Sequence, residues 1–220
     1  MNIGHDEPSN VIPLATSRAE MRFPAIARVE TYWEALRDGR RMPARAEVDP
    51  RGIADVLEYA CILETVAPGV ARMRIAGMHL NDLMGMDVRG MPVSAMFLPA
   101  TRADLEGVLD AVLDSPAKAH LTLGTDSSTT LPRLSAQMLL LPLRDDRGRP
   151  TRILGALQSR GTIGRGPRRF RCLDEAIEPI RAAQETTYPL PEDVPPAPVA
   201  AAEDQAPFVP HLRLVHDADD

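Results

Sequence analysis

The order of its periodic segments constrains the fold of this chain more than any other feature of the sequence. Between residues 25 and 159, two helical patterns come first, a hairpin of short strands follows, and two further helical patterns precede three successive strands. Strands joined by short loops pair antiparallel, and the helices between the second and third strands must cover a face of the sheet. The order predicts an α+β fold with helices mainly on one face.

Proline and glycine locate the two helices that come first. Pro24 suits the first turn of a helix, which keeps one apolar face and stops near Gly39. Asp49 and Pro50 supply an N-cap and a first-turn proline for a second, short helix. The inward residues of this second helix are predicted to be Ile53, Val56 and Leu57.

A hairpin is predicted over residues 59–66 and 70–76. Strict alternation places Ala71, Met73 and Ile75 on one face of its second strand, with Arg72 and Arg74 on the other.

The next helical patterns also have recognisable ends. A short helix over residues 79–84 is stopped by Gly85, and a capping-box-like pair of Thr101 and Asp104 opens a longer helix that Pro116 ends.

Three strands complete the order. Residues 118–123 alternate, and residues 134–143 and 153–159 follow as longer strands joined by a tight turn. Beyond them, residues 170–187 have a helical pattern that Pro179 would kink or end.

The negative charge is concentrated at the C-terminus. Residues 186–220 hold seven acids against one arginine, so this stretch alone accounts for the net charge of -6. The sequence predicts a flexible arm over 1–22, a domain over 23–160, an arginine and glycine loop with a short helix over 161–187, and a disordered Pro/Ala-rich tail over 188–220. A nearly neutral domain has little electrostatic attraction to nucleic acid.

Other sequence features narrow the class of protein. No basic leader precedes an apolar run, and no stretch reaches the roughly 18 apolar residues that span a bilayer. Cys61 and Cys172 match no metal-ligand spacing. We expect a cytoplasmic protein that has no metal site and does not contact a membrane.

Two groups of residues resemble a known family. The stretch from Trp33 to Pro50 reads W-x-x-L-R-x-G-R-x-x-P-x-R-x-x-x-D-P, and a second stretch runs from Arg74 to the Gly90 loop. Together they resemble a bacterial single-domain PAS family of the PAS_5 kind over about residues 25–160. The motif residues, for which we expect structural roles, are Trp33, Arg37, Pro43, Arg45, Asp49, Pro50, Arg74, Gly77, Gly85 and Gly90.

The resemblance implies a five-stranded antiparallel PAS sheet flanked by helices, including an N-terminal flanking helix. It further implies ligand or cofactor sensing, dimerisation and regulation of a partner. Trp33 would anchor the N-terminal helix on the sheet or on a second subunit.

Methionines crowd one part of the chain, with six of the ten between residues 73 and 96. Flexible thioethers suit either an adaptable ligand pocket or ordinary core filling, and core filling is the favoured interpretation. The ligand-pocket candidates are Met73, Ile75, Met84, Met96 and Leu109.

Two cofactors of PAS proteins are not expected. His79 opens a short helix where a haem ligand could stand, but no second ligand follows at usable spacing. Neither cysteine lies in the setting of flavin-reactive PAS domains. The cofactor therefore stays unknown.

An arginine-rich loop is the candidate for nucleic acid. It contains Arg160, Arg165, Arg168, Arg169 and Arg171 among glycines. No Lys-Ser/Thr follows the glycines, so the loop is not a phosphate-binding P-loop. A solvated loop is the favoured interpretation, and nucleic acid is the weaker one.

An apolar island at residues 208–215 interrupts the acidic tail. Leu212 and Leu214 could add as a strand to a sheet edge of a partner, or the island could have no bound state.

The sequence therefore favours a non-enzymatic PAS signalling module that binds a small ligand or a protein and regulates a separate output protein. It would form a homodimer through its N-terminal helix. The first alternative is a ligand-free adaptor acting through its tails, and the second is a nucleic-acid binder. No nucleophile paired with a base, metal set or carboxylate pair points to an enzyme.

Overall fold

A computed structural model describes residues 23–126 and 132–182 of the chain. The arm over 1–22, the tail over 188–220 and the docking candidates Leu212 and Leu214 lie outside these described residues. The helices are α1 (Pro24–Arg37), α2 (Met78–Met84) and α3 (Arg102–Asp114), and short 3₁₀ segments cover Arg45–Glu47, Pro50–Tyr59, Val93–Met96 and Pro99–Thr101. The strands are β1 (Ala60–Ala67), β2 (Val70–Ala76), β3 (Ala117–Gly124), β4 (Ser135–Arg144), β5 (Pro150–Arg160) and β6 (Arg171–Pro179).

The described strands form one antiparallel sheet in the order β2-β1-β5-β4-β3-β6. The α+β class and the predicted order of elements are confirmed. The expectation of five strands is wrong by one, because β6 extends the sheet beside β3.

Strand β6 also corrects the described part, residues 170–182, of the helix predicted over residues 170–187. Leu173 and Ile177 stand four residues apart, the spacing of one helix face, yet both residues are exposed, at 61% and 37%. A helix here would have no apolar surface to cover, whereas an extended chain satisfies the open backbone groups of the β3 edge. Pro179 ends the strand, and the Ile180 amide donates to the Pro116 carbonyl at 2.8 Å.

Each face of the sheet carries its own core. On what we call the inner face, α2 and α3 pack over residues such as Leu63, Met73 and Leu121. On the outer face, α1 and the segment Pro50–Tyr59 cover residues that include Leu141 and Leu154. The prediction of helices mainly on one face therefore holds for α2 and α3, whereas α1 lies opposite them.

The helix ends follow the predicted residues with one exception. Gly85 ends α2 with a φ of 70°, a left-handed conformation that favours glycine. Thr101 precedes α3, but its side chain makes no cap to the helix and donates instead to the Leu98 carbonyl at 3.2 Å. None of the helices in the described ranges is long and apolar enough to cross a membrane.

Candidate functional site

A cavity of about 320 Å³ opens on the outer face of the sheet. It lies between the segment Pro50–Tyr59 and the hairpin of β1 and β2, and its lining is mostly apolar. Three large apolar side chains at the cavity are unusually exposed: Leu57 (41%), Ile75 (50%) and Met78 (63%). The complete lining is Arg45, Val48, Pro50, Ile53, Leu57, Glu58, Ala60, Cys61, Ile62, Ile75, Ala76, Gly77, Met78 and Leu154.

The first wall of the cavity is the segment Pro50–Tyr59, which begins as the sequence predicts. The Asp49 carboxylate accepts from the Arg51 amide at 2.9 Å, so Asp49 is the N-cap. The segment is 3₁₀ rather than α-helical, and its backbone departs from helical angles at Ile53 (φ -131°, ψ 28°). The 3₁₀ geometry aligns residues three apart, so Ile53 and Val56 share the packed side while Leu57 turns away. The inward position predicted for Leu57 is therefore wrong, and its side chain lines the cavity.

Helix α1 holds this wall in place. The Tyr32 hydroxyl accepts from the Asp49 amide at 2.8 Å and donates to the Asp49 carbonyl at 3.0 Å. Arg28 donates to the Gly52 carbonyl at 3.0 Å. Gly52 must lack a side chain, because a Cβ there would lie 2.2 Å from Cε2 of the Tyr32 ring. The position of the wall is therefore coupled to that of α1.

The second wall is shaped by an irregularity in β2. Ile62 pairs with Ile75 and Leu63 pairs with Met73, so Arg74 is an extra residue in β2. The extra residue moves Ile75 to the outer face, while Met73 stays in the inner core. Strict alternation placed both on one face, and the bulge overturns that prediction. Arg74 itself forms an ion pair with Glu64 on β1.

The two walls meet at Gly77, which precedes α2. The Gly77 amide donates to the Ala60 carbonyl at 2.8 Å. A Cβ on Gly77 would lie 2.1 Å from the Glu58 carbonyl oxygen, so only glycine permits this close approach.

The electrostatics of the cavity are set by few groups. Arg45 is half-buried on the lining, and Glu58 is exposed at the same cavity. Burial raises the pKa of the Cys61 thiol to about 12, although a hydrogen bond with the Gly155 backbone lowers that pKa in part. Cys61 therefore stays a protonated, unreactive thiol that acts as an apolar side chain.

His79 lies outside the lining and holds the end of β5. Its Nε2 accepts from the Ser159 amide at 3.1 Å, which requires the neutral ring, and the ring packs 4.8 Å from that of Tyr59. Burial lowers the pKa of His79, although the charges of Glu58 and Asp82 act in the opposite direction. The neutral form is thus favoured in the folded protein.

Four of the five pocket candidates lie together in the inner core rather than at this cavity. Met73, Met84, Met96 and Leu109 are at most 4% exposed and pack among other apolar side chains. Only Ile75 of the five lines the outer cavity. No sequence signal separated cavity residues such as Leu57 and Met78 from ordinary core residues.

Trp33 and Arg37 have structural roles in α1. Trp33 is fully buried, and its indole Nε1 donates to the Pro142 carbonyl on β4 at 3.1 Å. The Arg37 guanidinium lies 5.8 Å from the centre of the Trp33 ring and pairs with Glu34 at 2.6 Å. Trp33 is therefore the residue that anchors α1 on its own sheet.

The remaining motif residues shape loops. The Pro43 carbonyl accepts from the Arg144 amide at 3.0 Å. Gly90 has a φ of 81°, and its amide donates to the Met73 carbonyl at 2.7 Å.

The arginine-rich loop turns one of its cations inward. Arg168 is only 2% exposed and donates to the Thr125 hydroxyl and to backbone carbonyls, including that of Pro132. Arg171 pairs with Asp126 at 2.9 Å. At least these two arginines serve the fold.

Within residues 23–126 and 132–182, no three His, Cys, Asp or Glu side chains gather closely enough to hold a metal ion. The residues suited to hold a ligand are those of the outer cavity, through apolar contact along its lining and through the Arg45 guanidinium.

Comparison with known proteins matches a family profile and a solved structure to this chain. The PAS_5 family profile, which describes a PAS domain, matches residues 21–158. No curated protein matches the chain. A solved structure described as that of an RNA-binding light-oxygen-voltage receptor is 15% identical, with a TM-score of 0.34; the match covers 71% of this chain and 36% of the receptor.

Proposed function

Because the chain belongs to the PAS_5 family of PAS domains, we propose that it is a non-enzymatic signalling module whose outer cavity binds a small apolar ligand. In this proposal the bound state regulates a separate output protein. The observation that carries it is the outer cavity itself, whose volume of about 320 Å³ falls in the range of small-molecule sites.

The contacts of α1 suggest how occupancy would be transmitted. A ligand between Leu57 and Ile75 contacts the segment Pro50–Tyr59, which Tyr32 and Arg28 tie to α1. Occupancy would favour one arrangement of α1 by no more than the ligand's differential affinity for the two arrangements. The surface offered to a partner would change with α1.

The homodimer predicted through the N-terminal helix remains part of the proposal. Ile26, Val29 and Trp33 are buried on the helix's own sheet, so this apolar side of α1 is already occupied. A dimer through α1 would therefore use its opposite side.

A ligand-free adaptor is the second candidate, and the dense inner core favours it. Met73 and Met96 are fully buried, and Met84 is 4% exposed, as expected for a filled core. In this alternative the binding segments would be the tails, which lie outside the described residues.

A neutral apolar dye such as Nile red tests the ligand proposal. We expect saturable binding that Ile75→Glu weakens by roughly tenfold or more, because the substitution removes an apolar contact of about 1 kcal/mol at a half-exposed side chain and places an unpaired charge against the apolar ligand. Val66→Glu is the matched control, since Val66 lies on the neighbouring strand, is 48% exposed and is absent from the lining. Equal weakening by both variants, or no saturable binding, would contradict a ligand at this cavity and favour the adaptor.

A further inference from the structure

One charged side chain on the outer cavity has an incomplete environment. Arg45 is half-buried on a mostly apolar lining that also holds Glu58, and no hydrogen bond or ion pair reaches its guanidinium from any described residue. Two other half-buried arginines are paired, Arg37 with Glu34 and Arg152 with Glu64.

The nearest acid along the chain cannot serve Arg45. Glu47 accepts from both terminal nitrogens of Arg40, at 3.0 and 2.6 Å, and from the Ala44 amide at 2.9 Å. The Arg40 hydrogen bonds, with the Ala44 amide, lower the pKa of Glu47 to about 2, so it stays ionised and committed to Arg40.

We propose that the cavity's ligand is a small amphipathic carboxylate, whose apolar body fills the cavity and whose carboxylate pairs with Arg45. The proposal rests on the proposed ligand-binding function and names the chemistry of the ligand. A guanidinium presents a planar fork of donors that matches a carboxylate in two parallel hydrogen bonds. Partial burial strengthens such a pair, because an unpaired charge beside apolar surface is costly.

The other charged residue of the lining fixes the orientation of the ligand. Glu58 would repel a carboxylate, so the head group belongs at Arg45 and the apolar end lies toward Ile75 and Met78. A ligand in this orientation joins the turn Arg45–Glu47 to the hairpin across the segment Pro50–Tyr59.

Three ligands of equal chain length separate the chemistry of the head group from that of the body. Octanoate, octanol and octylamine are titrated into the full chain while amide chemical shifts are followed by NMR. We expect octanoate to bind roughly tenfold more tightly than octanol, and octylamine to bind more weakly than octanoate. Shifts should concentrate at Arg45, Leu57 and Ile75.

Two variants assign the preference to Arg45. Arg45→Gln should remove the advantage of octanoate while leaving octanol binding within about twofold, which also shows that the cavity is intact. Arg41→Gln is the control, because Arg41 is an exposed arginine four residues earlier that is absent from the lining. It should leave the preference unchanged.

The outcomes distinguish this inference from the proposed function. Equal binding of octanoate and octanol, a preference for octylamine, or an equal effect of both variants would overturn the carboxylate while leaving a ligand cavity. Absence of binding by all three would overturn both.

Discussion

Replacing Trp33 by phenylalanine tests whether α1 is fastened to the sheet as the structure indicates. Trp33 lies on the buried side of α1, facing the sheet, and its indole nitrogen donates to the Pro142 carbonyl at 3.1 Å. Phenylalanine keeps an aromatic ring in the same place but has no donor. The substitution therefore isolates the hydrogen bond and part of the packing.

The expected loss of stability has two parts. Leaving a buried carbonyl without its donor costs about 1–3 kcal/mol. The smaller ring leaves unfilled volume, which adds about 1 kcal/mol when the surroundings relax only in part. Together these give a fall of about 2–4 kcal/mol in the free energy of unfolding.

Urea unfolding followed by far-ultraviolet circular dichroism measures this change without relying on the fluorescence of the lost tryptophan. Tyr32→Phe is the matched control on the same helix, because it removes hydrogen bonds to Asp49 that are exposed to water. We expect the control to cost less than about 1 kcal/mol. A loss below 1 kcal/mol for Trp33→Phe, at an unchanged denaturant slope, would refute the anchoring role.

Three further substitutions or conditions address other parts of the fold. Burial lowers the pKa of His79 from its ordinary 6.5, so the unfolded chain binds a proton at a higher pH than the folded protein does. The free energy of unfolding should therefore fall as the pH drops below about 6.5, and it should fall less in His79→Gln. Urea midpoints at several pH values measure this difference. Gly77→Ala should lower the thermal midpoint far more than Gly107→Ala, whose added Cβ meets nothing within 4 Å; similar midpoints would contradict the close approach at Gly77. Arg168→Met should lower the free energy of unfolding by about 2–4 kcal/mol, because it leaves buried oxygens without donors. Arg165 is exposed, so Arg165→Met should change the urea midpoint little. Equal effects of the two substitutions would argue against the inward role of Arg168.

The pairing of Glu30 with β3 illustrates what no sequence pattern could supply. Lys118 lies 2.8 Å from Glu30 and His120 lies 3.4 Å from it, which joins α1 to a strand almost ninety residues later. Burial alone would raise the pKa of Glu30, but hydrogen bonds from His120 and Lys118 outweigh it and lower the pKa to about 2. In the sequence these residues appear only as the polar side of a helix and of a strand.

The sequence by itself determined the elements whose signals are local. Pro24 and Pro50 at helix starts, Gly85 at a helix end and alternation along β3 depend on backbone angles and side-chain spacing that few neighbours can change. The motif from Trp33 to Pro50 likewise identified the PAS family before any contact was known.

Only the tertiary structure decided where the candidate site lies. The extra residue at Arg74 moves Ile75 to the outer face, and the 3₁₀ geometry after Asp49 turns Leu57 toward the cavity. Strand β6 forms because β3 offers it an unpaired edge. Each outcome depends on pairing and packing between segments distant in sequence, and these long-range interactions override the local periodicity from which faces and elements are predicted.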